Sequence, residues 1–248
     1  MRLTSSIYSS FRSLSSAVLV LLALSACSKT TDHTGSEATG KGNGGNSLRL
    51  SKEDTEAILS TLKPHLQVVF EGLTYMVKAE MVSPGATALS EVPGVFADLK
   101  VMFGGQAPAM ADLDTADNFQ PQEPACKDFR GKSKAASAVL GEVGGKICFS
   151  RGEIRSKANK NFEHAAEIFV LALATHEFSH HFINKGDNDA DEKSARAIQD
   201  FVEQELAKVS EVPSREIIAT DETAYLSQFR QNAKAAFDGA ADLKGNGP

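Results

Sequence analysis

The residues best equipped for chemistry in this chain are His176-Glu177-Phe178-Ser179-His180. On a helix, residues four apart share a face, with about 5–6 Å between them, so two imidazoles can bind one metal ion. Glu177 lies close to the same face and can take a proton from metal-held water and pass it to a leaving amine. Two imidazoles plus a carboxylate, with one position left for water, suit zinc. Residues 168–175, just before the motif, are apolar on every side, so the helix is expected to be buried. The alternative is two core histidines with no metal.

A catalytic zinc takes three protein ligands. An acidic run follows the motif: Asp187, Asp189, Asp191 and Glu192. Glu192 is the first choice, because it opens the next helix and Ala195, one turn later, lets two helices approach over a shared ion. Asp189 and Asp191 remain rivals. The alternating aspartates also suggest a calcium loop, but Glu192 stands where an EF-hand needs glycine and Ile198 where it needs its closing glutamate. Helix capping on a solvated loop is the plainer role for such a run. His164 precedes His176 by 12 residues, about 120° around the helix, and should not reach the metal. His181 is read as packing or as support for the ligands. Tyr225 is a possible hydrogen-bond donor to a tetrahedral intermediate, against the simpler reading of a core tyrosine.

These side chains need elements to hold them. Ser51 and Asp54 form a capping-box pattern before helical apolar spacing over residues 55–81, which Pro64 should split or kink. Residues 84–135 read as irregular, with a short helix near 95–103. Residues 146–150 are the best strand candidate, flanked by Gly144, Gly145 and Gly152. A long helix over about 161–184 is closed by Gly186, a second runs over about 189–209, and a last one from 220 to about 237. The expected fold class is α+β, mainly helical: an active-site helix, a glutamate helix and a short edge strand or small sheet. The folded domain is expected over 48–240, with a disordered tail at 241–248.

H-E-x-x-H followed by a helix carrying Glu192-x-x-Ala195 resembles the gluzincin class of zinc metallopeptidases, over about residues 145–205. The resemblance implies His176, His180 and Glu192 as zinc ligands and Glu177 as general base. It also implies that the strand carrying Ile147, Cys148 and Phe149 is an edge that binds the substrate backbone. Two features depart from the class. Only 11 residues separate His180 from Glu192, and Arg196 stands where many members carry an acidic or amide residue that orients a histidine. Asp200 or a loop aspartate is the expected substitute.

The amino terminus has a separate character. Arg2 and Arg12 precede an apolar run over 17–26, too short for a permanent membrane span. It ends in Leu24-Ser25-Ala26-Cys27, which resembles the lipobox of bacterial lipoproteins and implies cleavage before a lipidated Cys27; an ordinary secretory signal is the alternative. Residues 1–27 are thus the expected signal. Residues 28–47, with Ala38 as their only apolar member, are a flexible linker reaching roughly 25 Å. The implied location is the cell envelope, on the outer membrane if the host has two. With Cys27 lipidated, Cys126 and Cys148 remain to form one disulfide worth roughly 3 kcal/mol, or two buried thiols.

The whole chain of 248 residues, 42% hydrophobic and 23% charged, suits one globular domain. Its formal charge of −6, lowered by two more once Arg2 and Arg12 are removed, argues against a nucleic-acid partner. The expectation is an exported, membrane-tethered zinc metallopeptidase with a peptide or protein substrate. The alternatives are a non-enzymatic lipoprotein with a structural or degenerate metal site, and a different zinc hydrolase.

Overall fold

The computed structural model describes residues 50–115, 119–128, 130–158, 164–210 and 224–245. All of them belong to the compact unit Asn46–Pro248, which separates from Met1–Gly45. The expected signal, the linker and Cys27 lie outside the described residues.

Among the described residues the fold is mainly helical with a small sheet. The first helix, α1 (Lys52–Val82), opens on a complete capping box: the Asp54 amide donates to Ser51 Oγ at 2.9 Å and the Ser51 amide to Asp54 Oδ2 at 3.4 Å. Pro64 was expected to split or kink it; the helix is not split and continues through that position. A proline there costs about 3 kcal/mol or more. Burial of Leu62, Leu66, Val69 and Phe70 on either side offsets that cost.

The short helix expected near 95–103 is α2 (Pro93–Phe103), and the rest of the stretch read as irregular holds more order than its Pro and Gly content suggests: a 3₁₀ turn (Ala88–Glu91), α3 (Pro108–Asp114) and strands β1 (Phe119–Gln122), β2 (Cys126–Lys127) and β3 (Ser133–Lys134). Both short helices begin with proline at the first position, where its missing N–H is no loss. Strands β4 (Ala136–Ala138) and β5 (Ile147–Ser150) follow, then α4 (Arg151–Lys157).

The sheet has the order β1-β5-β4, parallel between β1 and β5 and antiparallel between β4 and β5. Strand β5, the expected edge, is therefore the centre, and β4 is an edge. Its backbone is paired on both edges, with β1 through Phe119–Gln122 and with β4 through Ala136–Ala138, while Ile147 and Phe149 are fully buried in the core. Strands β2 and β3 pair as a separate two-stranded hairpin, and a disulfide between Cys126 and Cys148 ties it to β5, with Cα atoms 5.9 Å apart.

Three longer helices complete the fold: α5 (Ala165–Phe182), α6 (Asn188–Ser210) and α7 (Ala224–Gly245). The expected starts of the first and last, near 161 and 220, lie outside the described residues. Helix α7 passes through 241–245, where a tail was expected; residues 246–248 are not described. Helix α5 is the spine. It packs against α6, α1 and β4, and Phe178 meets Phe70 edge-on at 5.2 Å. Helices α1 and α7 approach so closely at Gly72 that a Cβ there would lie 2.3 Å from the Phe229 ring.

Candidate metal centre

Helix α5 carries the H-E-x-x-H segment in its last two turns, with His176, Glu177 and His180 all buried. The four-residue spacing brings the two rings to one face, their Nε2 atoms 3.2 Å apart. Glu177 joins them: one potential ligand atom from each of the three residues lies within 4.8 Å of the others. This group can hold a metal ion.

Glu192 approaches from near the start of α6, as its fifth residue. Its Oε2 lies 3.7 Å from His176 Nε2 and 3.7 Å from His180 Nε2. Ala195, one turn on, is fully buried between α5 and α6, as a close helix approach requires. The other oxygen of Glu192 faces away. Its Oε1 accepts Lys134 Nζ at 3.2 Å, Arg196 Nε at 3.2 Å and Arg196 Nη2 at 3.0 Å.

The rival carboxylates are engaged elsewhere. Asp191 is buried and its Oδ1 accepts the Lys185 amide at 2.6 Å, capping the turn between the helices. Asp189 is largely exposed and pairs with Arg130 Nη2 at 2.8 Å. Asp187 Oδ1 accepts the Asp189 amide at 2.9 Å. The acidic run thus closes a tight hairpin rather than a calcium loop. Asp200, a suggested support for a histidine, is exposed on α6. His176 Nδ1 is buried without a hydrogen-bond partner.

The surroundings drive the two carboxylates in opposite directions. Burial, and then the charge of Glu192, push the Glu177 carboxyl up to about 8. Lys134 and the Ala138 backbone N–H, which bonds the carboxylate, work against that rise. The imidazoles of His176 and His180 facing Oε2 hold the Glu192 carboxyl far below the usual range. Burial lowers His176, which favours the neutral imidazole that a metal needs.

The site opens into a cleft of about 720 Å³. One wall is the edge strand β4 and the exposed Val139 and Leu140 that follow it; the β2–β3 hairpin supplies Lys127, Arg130, Lys132 and Lys134. The Gly141 amide donates to the His180 carbonyl at 2.8 Å, which fastens that wall to α5. Of the residues expected to form a substrate edge, only Cys148 reaches the cleft; Ile147 and Phe149 are core.

His181 points away from the cleft. Its Nδ1 bonds Asp112 Oδ2 at 2.6 Å with both side chains fully enclosed, and Asp112 Oδ1 accepts the Gly144 amide at 2.5 Å. Tyr225 is 6% exposed, stacks on His164 at 4.5 Å and lies outside the cleft lining, so it is a core tyrosine and not a donor at the site. Burial and Glu167 push its phenol further from ionisation. His164 stands with it, away from the metal centre.

Sequence reasoning missed Lys134, β4 and the Asp112–His181 pair. Each depends on contacts between residues far apart in the chain. No family model, curated protein or solved structure matches this chain, so the reading of the site rests on its own geometry.

Proposed function

We propose that this chain is a zinc metallopeptidase in which His176, His180 and Glu192 hold the metal and Glu177 is the general base. The observation that carries the reading is a triangle of donor atoms: two Nε2 atoms 3.2 Å apart and one Oε2 3.7 Å from each. A circle through three points so spaced has a radius of about 2.05 Å, inside the ~2.0–2.2 Å range of zinc bonds to nitrogen and carboxylate oxygen. The lowered His176 and Glu192 also favour the neutral imidazole and the ionised carboxylate that zinc binds.

Bound zinc supplies polarisation of a peptide carbonyl and a lowered pKa for water. The remaining tasks fall to the protein. Edge strand β4 offers backbone groups along which an extended peptide aligns. Glu177, held by the Ala138 amide, takes a proton from the attacking water as its oxygen bonds to the carbonyl carbon. When the C–N bond breaks, Glu177 delivers that proton to the departing nitrogen. Burial raises the proton affinity of Glu177, which suits a carboxylate that must take a proton from water.

The lipobox resemblance extends the proposal to an envelope protein anchored through Cys27. Among the described residues, no helix is long and apolar enough to cross a membrane.

Glu177→Gln tests the mechanism. It keeps carboxamide shape without basicity, so zinc content should stay at the parent level while peptide hydrolysis falls by about 10²-fold or more. Retained activity would overturn the role of Glu177.

A further inference from the structure

The cleft differs in charge from the rest of the molecule. Six cations line it, Lys127, Arg130, Lys132, Lys134, Lys146 and Arg196, in a chain whose formal charge is −6. Three of them are committed: Lys134 and Arg196 to Glu192, and Arg130 to Asp189. The other three have no carboxylate partner among the described residues. Lys127 Nζ donates only to the Ser133 hydroxyl, at 2.9 Å, and Lys132 and Lys146 are exposed. Against these three cations stand two carboxylates: the buried Glu177, and Asp128, whose Oδ1 already accepts the Arg130 and Lys132 amides at 2.9 and 2.8 Å. With the committed pairs set aside, a surplus of positive charge faces the open edge of β4.

Resting on the peptidase reading above, we propose that the cleft selects peptides with acidic side chains near the bond it presents to Glu177, Lys127, Lys132 and Lys146 being the selecting residues. A concave, low-dielectric wall concentrates their field on whatever enters. A peptide fits better than a nucleic acid. Among the described residues the lining has no Phe, Tyr or Trp on which bases could stack, and the β4 edge supplies the backbone groups an extended peptide needs.

The test uses the full chain carrying Glu177→Gln and loaded with zinc, so that peptides are bound but not cut. Three labelled decapeptides, identical except for four positions held by Glu, Gln or Lys, are compared by fluorescence anisotropy. At low salt the Glu peptide should bind about tenfold tighter than the Gln peptide, from about twofold for each exposed ion pair. The Lys peptide should bind weakest, and the difference should shrink in about 0.5 M salt. Adding Lys127→Ser, Lys132→Ser and Lys146→Ser should bring the Glu-to-Gln ratio close to one, with the melting temperature serving as the folding control. Equal binding of all three peptides overturns the proposal. So does a ratio that survives the triple substitution, or tighter binding of a single-stranded oligonucleotide of equal charge. Failure of the peptidase reading looks different: the Glu177 protein leaves the Glu peptide intact while the selectivity in binding persists.

Discussion

Glu192 has two carboxylate oxygens and a separate task for each. Oε2 faces both imidazoles, while Oε1 is held by Lys134 and Arg196. The cations hold the rotamer and so would lower the entropy that Glu192 loses on binding the proposed metal. Lys134→Met combined with Arg196→Met should therefore weaken zinc affinity about tenfold in chelator competition, with the fold intact; unchanged affinity would deny them this role. The histidine pair and Glu177 were legible in the sequence because i, i+4 geometry is local. Arg196 was also visible, as a departure from the gluzincin pattern, but its meaning depended on Lys134, 58 residues from Glu192 along the chain. Tyr225 went the other way. Its chemistry suggested a donor, and its packing against His164 made it core.

At the scale of elements, the long helices were readable because apolar spacing near 3.6 residues persists over many turns. Proline and glycine misled. Pro64 lies inside α1, and the Pro- and Gly-rich stretch 84–135 holds, besides the short helix expected near 95–103, α3 and three strands. Strands of two to four residues are too short to show a period, so β4 escaped notice and β5 was taken for an edge. The disulfide is what holds this short-stranded region together: Cys126 on β2 is joined to Cys148 on β5. Removing it with Cys126→Ser and Cys148→Ser should lower unfolding free energy by roughly 3 kcal/mol, read from denaturant midpoints. A loss below about 0.5 kcal/mol would mean that the hairpin is held by packing alone.

At the scale of the whole molecule, the sequence divides into a leader with lipobox character and a folded unit, Asn46–Pro248, that contains every residue of the candidate site. Metabolic labelling with palmitate in a bacterial host should mark the parent protein and not Cys27→Ser; labelling of both would remove the lipid anchor from the account. Within the folded unit, a spine helix buried on all sides brings His176 and His180 to the floor of the cleft, and a tight acidic hairpin returns Glu192 to them. Composition alone pointed to a globular domain and away from nucleic acid; the distribution of charge between cleft and surface required the fold. Every role proposed for the site depends on the metal. Zinc stoichiometry by plasma emission on the purified chain should give one ion per molecule, and about none once His176→Ala and His180→Ala are combined. A parent protein that binds no zinc, or a double variant that keeps a full equivalent, would contradict the metal centre and the peptidase built on it.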